Sequence, residues 1–143
     1  MNAYMELKNR HQKEVNAFPM FFAFDREAFN KGMESFGLNP DETNKISMFG
    51  SSGGYFLKSD SGRLDEMFDR HERERKEAIT GDTTGKGYIL QMFKYELANH
   101  EYSYTQDTED TLKALCLTMA EIENSKPLTR GLDLAIKYIM KGS

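Results

Sequence analysis

The chain has a single cysteine, Cys116, and no tryptophan in 143 residues. One thiol excludes an internal disulfide framework and a cysteine-based zinc site. Proline is scarce as well: Pro19, Pro40 and Pro127 are the three present, and each marks a place where a helix must stop or begin. No stretch reaches the ~18 consecutive apolar residues of a membrane span. Neither sign of charge dominates, with 19 Lys and Arg against 23 Asp and Glu, a net charge of −4 and a pI near 5.4. Such a chain has no general attraction for nucleic acid or for an anionic membrane. A local basic patch would be needed for either, so neither is expected as a partner.

What is present fits a globular protein. At 16.5 kDa, with 38% apolar and 29% charged residues, the chain is expected to form one domain over residues 1–143. Lys8 and Arg10 near the start are followed by His11, Lys13 and Glu14 in place of an apolar core, so no signal peptide is expected. With nine methionines and one cysteine, the expected compartment is the reducing cytoplasm.

Apolar spacing outlines the elements. Tyr4, Leu7, His11, Val15 and Phe18 recur at helical steps up to Pro19, which ends the run. Met20–Phe24 is a short continuous apolar segment, read as a buried strand. Asp25 suits the N-cap of a helix carrying Phe29, Met33 and Phe36, with Gly37 as its C-cap. Asn39, Pro40 and Glu42 have the grammar of a capping box opening a further short helix, and Thr118 with Glu121 repeats it.

Ile46–Phe49 and Tyr55–Lys58 flank Gly50, Ser51, Ser52, Gly53 and Gly54, the pattern of a β-hairpin. A long helix follows, ending near Ile79, with Leu64, Met67, Phe68, His71 and Ala78 inward. Beyond the flexible loop Gly81–Gly87, Tyr88–Asn99 forms a helix with Ile89, Met92, Phe93 and Leu97 inside. Tyr102 and Tyr104 alternate with Ser103 and Thr105, as in a short strand beside the hairpin. Leu112, Leu115 and Cys116 mark another helix face that would bury the thiol, and Pro127 opens a terminal helix. The expected fold class is therefore α+β: predominantly helical, with a small antiparallel sheet made of the hairpin plus one or two short strands.

Several groups of residues suggest chemistry. Gly81–Gly87 has the glycines and lysine of a phosphate loop, but one residue too few, and Gly87 where a metal-binding Ser or Thr belongs. A surface turn accounts for it better. Glu96 and His100 share a helix face; with Glu101 and His71 they would supply ligands for a divalent metal and a general base. Against this, the spacing of the zinc proteases is absent, and hydrogen bonding at a helix end explains Glu96 and His100 without a metal. No cofactor is otherwise expected.

From Asp69 to Glu77 opposite charges stand four apart, the pattern of a solvated helix face, with Arg70, Arg73 and Lys76 available to a partner. Six of ten Phe lie between positions 18 and 36, where they line either the core or a ligand pocket.

Two segments, His11–Phe24 and Tyr95–Tyr102, together with the Gly-rich hairpin and the Leu117-Thr118-x-x-Glu121 junction, resemble a family of small uncharacterised proteins from phage and conjugative-element regions of Firmicutes. That resemblance implies an accessory gene of a mobile element, and it brings no catalytic residue with it. The expected function is non-enzymatic protein–protein binding, by an accessory or anti-defence modulator of a host complex. Its partner would be a host- or element-encoded protein, its surfaces Gly50–Gly54 and Arg70–Lys76, and self-association stays open. The competing reading is a small metal-dependent hydrolase built on Glu96, His100 and a third ligand.

Overall fold

A computed structural model describes residues 2–142. It is 68% helical with one three-stranded antiparallel sheet, the α+β class expected. The chain divides into two compact units, one running from Lys13 to Glu72 and one formed by the described residues up to Gln12 and from Arg73 onward. Both divisions fall inside helices: α1 (Ala3–Ala17) and α3 (Ser61–Gly81).

The Lys13–Glu72 unit is built on the sheet, in the order β1-β3-β2: β1 (Phe21–Phe22), β3 (Gly54–Leu57) and β2 (Ile46–Phe49). Phe21 faces Tyr55 and Phe22 faces Gly54 across one ladder; Met48 faces Tyr55 and Phe49 faces Gly54 across the other. Successive side chains alternate between faces. On the face of Tyr55, the Phe21 ring stacks 5.2 Å from the tyrosine and meets the edges of Phe29 and Phe36. Those two rings belong to α2 (Arg26–Ser35) and its C-cap. Gly32 of α2 permits this approach, since a Cβ there would lie 2.1 Å from the Phe21 ring. On the opposite face, Phe56 packs with Leu64 and Met67 of α3, and Val15, Phe18, Phe49 and Phe68 surround them.

The other unit is organised around α4 (Tyr88–Asn99). Ile89, Met92, Phe93 and Leu97 are almost wholly excluded from water and pack against Leu128, Leu132 and Ala135 of α8 (Lys126–Lys141). Tyr4 and Leu7 of α1 join the same core. So do Leu112 of the helix Glu109–Leu115 (α6) and Ile122 of Met119–Glu123 (α7). The capping box of α7 is complete, with Thr118 and Glu121 each holding the other's backbone N–H. Where α4 passes α8, Gly131 permits contact: a Cβ there would stand 2.4 Å from Ile89 Cγ2 and 2.8 Å from the Gly85 carbonyl. Among the described residues no helix is long and apolar enough to cross a membrane.

The structure corrects five expectations. Tyr102–Thr105 is a single helical turn (α5), not a strand, and the third strand is β1. Four alternating residues are too few to fix a period, and the left-handed residues Glu101 (φ 57°) and Gln106 (φ 54°) bracket the turn. The box at Asn39 opens no α-helix: Glu42 accepts the Asn39 N–H at 2.9 Å, but only a 3₁₀ turn at Thr43–Lys45 follows. The Met20–Phe24 strand shrinks to two residues, with Phe22 and Phe24 in solvent. Cys116 is exposed, because it stands past the end of α6 in the left-handed region (φ 55°). The long helix continues two residues beyond Ile79, to Gly81.

Candidate functional site

The hairpin loop is internally tied. Gly50 (φ 56°) and Gly53 (φ 79°) take left-handed conformations that side chains resist. The Ser52 hydroxyl donates to the Phe49 carbonyl at 2.6 Å and accepts from the Gly54 N–H at 3.2 Å, while Ser51 faces solvent. Gly53 and Gly54 then act as a floor for aromatic rings. A Cβ on Gly53 would lie 2.5 Å from the Phe24 ring, and one on Gly54 would lie 2.9 Å from Phe22. Both rings rest on backbone and present themselves to water: Phe22 is 58% exposed and Phe24 85%. Met48 on the edge strand β2 is exposed as well. Ala23, between the two rings, is anchored by its N–H on the Gly53 carbonyl at 3.0 Å.

This unit also carries the chain's charge imbalance. Between Lys13 and Glu72 there are eleven acidic against seven basic side chains, whereas the other unit has twelve of each. The whole net charge of −4 therefore falls within this unit.

Of the candidate cations on α3, Arg70 is engaged. Its guanidinium forks onto the Glu14 carboxylate, and the Arg70 hydrogen bond is the main reason that carboxyl is lowered to about 2. Burial opposes this, and His71, 2% exposed with Nε2 3.5 Å from Glu14, adds to the lowering. Arg73 and Lys76 lie in the other unit and are exposed. There Glu74 takes Arg10 at 3.1 Å and His11 at 3.3 Å. The α3 stripe thus ties its own unit's stretch of α1 in each case.

The metal candidates separate. Glu96 and His100 do meet, with Nε2 3.5 Å from Oε2. Glu96 is 4% exposed and already engaged: the Tyr4 hydroxyl donates to Oε1 at 2.8 Å, and Lys8 Nζ stands 3.7 Å away. Burial first, and then the hydrogen bond to Glu96, raise the Tyr4 phenol far above its ordinary range. Burial pushes neighbouring Tyr88 up to about 12 against the pull of Arg75. Gln91 completes the arrangement, its Oε1 accepting the N–H groups of Ala3 and Tyr4 at the start of α1. His71 belongs to the other unit, with Glu14, and Glu101 is exposed at the head of α5. Among the described residues no three His, Cys, Asp or Glu side chains gather as around a metal ion. What the geometry forms here is a buried carboxylate held by a phenol, an ammonium and an imidazole.

The loop Gly81–Gly87 does gather backbone N–H groups on an anion, and the anion is its own. Asp82 accepts from Gly85, Gly87 and Ile89 at 3.0 Å each and from the Thr84 hydroxyl at 3.1 Å. Burial disfavours the charge, but these donors outweigh it and hold the Asp82 carboxyl below its usual range. The same carboxylate complements the positive end of α4.

Phe22 and Phe24 were not separable in sequence from the aromatic residues that fill the core. The available signal was the pair of adjacent glycines at 53 and 54, which leaves no side chain to cover a ring on the neighbouring strand. Comparison with known proteins finds one family model, that of a family of unknown function (DUF7659), matching residues 3–138 and so spanning both units. No curated protein and no solved structure matches.

Proposed function

We propose that this chain, which belongs to the DUF7659 family of unknown function, acts by binding another protein through the aromatic face of its sheet unit. The exposure of Phe22 and Phe24 on their glycine floor carries the proposal. Large rings held rigidly by backbone lose little conformational entropy on binding, and aromatic anchors dominate interface energetics. The acidic surplus of this unit selects the partner's chemistry: a basic segment whose Lys or Arg groups lie over the open faces of the Phe22 and Phe24 rings. Gly50–Gly54 serves as the support of this face. Arg70, tied to Glu14, holds the unit together, and the contact with the partner falls to the rings. An accessory role in a mobile element, with a host complex as partner, is the setting in which such a module would act.

Selection from a random dodecapeptide display library tests this directly. Peptides rich in Lys or Arg should be enriched, and the Phe24→Ser and Phe22→Ser variants should each weaken them about tenfold or more. Selected peptides that are acidic, or that bind both variants as tightly as the parent, would overturn the proposal.

A further inference from the structure

We propose that the outward face of α8, together with Tyr104, binds single-stranded nucleic acid. Lys126, Arg130, Lys137 and Lys141 are all exposed, and on a helix of 3.6 residues per turn they fall within an arc of about 60°. One acid, Asp133, lies among them. The row runs for about 22 Å along the axis at ~1.5 Å per residue. At the ~3.4 Å spacing of a stacked strand, that is the length of about six phosphates. Among the described residues, neither Lys126, Lys137 nor Lys141 has a carboxylate within ion-pair distance. Arg130 gives one N–H to the Thr84 carbonyl at 3.1 Å and keeps its remaining donors. The balanced charge of this unit thus hides a local concentration of cations, the feature an anionic partner requires.

Phosphate attraction alone would not distinguish a strand from any other polyanion, and here the aromatic groups decide. Beside the C-terminal half of α8 lies a cleft of about 770 Å³ lined by Ala98, Ser103, Tyr104, Tyr138, Ile139 and Lys141, with no carboxylate side chain among the described residues of its wall. Tyr104 is 87% exposed and Tyr138 61%. Lys94 of α4 stands 3.6 Å from the centre of the Tyr138 ring, a cation–π contact that holds one face of that ring. Tyr104 is presented by α5, the turn bracketed by left-handed Glu101 and Gln106. Non-glycine residues persist in that region only when their surroundings enforce it, and such outliers gather where a side chain must be aimed.

A second cleft of about 480 Å³ continues along α8 between Lys126, Arg130 and Lys137, with Glu123 and Asp133 as its acids. Together they form a basic track with stacking rings at one end, the combination that holds unpaired bases. A basic amphipathic helix also suits an anionic membrane, but that mode needs its apolar face free. In α8 that face, Leu128, Leu132 and Ala135, is buried in the core.

The test measures fluorescence anisotropy of a labelled oligothymidylate of about 15 nucleotides across a salt series. Unlabelled thymidine monophosphate as competitor and phosphatidylserine vesicles form separate arms. The triple variant Lys126→Gln, Lys137→Gln, Lys141→Gln should lower the salt slope by about 2, at ~0.7 per lost phosphate contact. Tyr138→Ala and Tyr104→Ala should each weaken binding about tenfold at every salt concentration. Lys31→Gln, the same charge change in the other unit, should leave binding unchanged. Competition by the mononucleotide at concentrations equal to the oligomer would move the assignment from the strand to a free nucleotide. Absence of saturable oligomer binding at low salt, equal binding by the triple and tyrosine variants, or association with vesicles alone would overturn it. These variants leave Phe22 and Phe24 untouched, so the outcome is independent of the protein-binding test.

Discussion

Replacing Asp82 with Asn removes a charge while keeping the shape of the side chain, so it isolates what the carboxylate does in the loop before α4. In the native protein one carboxylate receives four donors, three of them backbone N–H groups that α4 and the loop cannot satisfy otherwise. An amide offers one oxygen, and its NH₂ then faces two donors. Each hydrogen bond to a charged group is worth about 1.5–3 kcal/mol when shielded from water. Asp82 is half-buried, so the lower end of the range applies to each of two lost bonds, discounted for solvent: about 2 kcal/mol in all. That corresponds to a fall of roughly 4–8 °C in melting temperature, or a urea midpoint shift near 1 M.

The effect of acid has a definite sign. Because the folded carboxyl is held below its ordinary value of 3.8, its contribution is present above that value and lost as pH falls through the folded one. The gap between native protein and Asp82→Asn should therefore narrow below about pH 4. Thermal and urea melts across pH, with hydrogen exchange at Gly85, Gly87 and Ile89, measure all of this. A variant within ~0.5 kcal/mol of the native protein at neutral pH, or a gap that persists unchanged in acid, would refute the assignment of the loop to Asp82.

Other outcomes follow from the same geometry. Tyr4→Phe removes a 2.8 Å hydrogen bond to buried Glu96 and should cost about 2 kcal/mol in a urea melt. NMR titration of the Glu14 carboxyl should give a midpoint near 2, against an ordinary value of 4.5. Since the folded value is depressed, stability from Glu14 is present above 4.5 and lost as pH falls towards 2, and Glu14→Gln should flatten that part of the profile. Gly131→Ala would drive a methyl into Ile89 and the Gly85 carbonyl. Overpacking of about 1–3 kcal/mol exceeds the ~1 kcal/mol gain in helix propensity, so calorimetry should show a net loss.

Local physics made much of the fold legible. The bounds of α4 follow from its apolar period, the hairpin from its glycines, and the starts of α2 and α7 from Asp25, Thr118 and Glu121, all interactions within a few residues. The misread elements are those where the local signal was short or ambiguous. Tyr102–Thr105 is one turn long and framed by two left-handed residues that carry no glycine to betray them. Asn39–Glu42 has the residues of a cap but no apolar period behind it, so the box closes on a 3₁₀ turn. The site residues were harder. Tyr4 and Glu96 are 92 positions apart, and only tertiary packing brings a phenol onto that carboxylate. Likewise the exposure of Phe22 and Phe24, one and three residues past half-buried Phe21, depends on which rings α2 covers and which it leaves.

Protein recognition by the sheet unit is most directly tested by NMR shift mapping of the full chain titrated with a selected Lys- or Arg-rich peptide. Perturbations centred on Phe22, Ala23, Phe24, Gly53 and Gly54, reversed by added salt, are the expected result. Saturable binding whose perturbations leave these five residues still would contradict it.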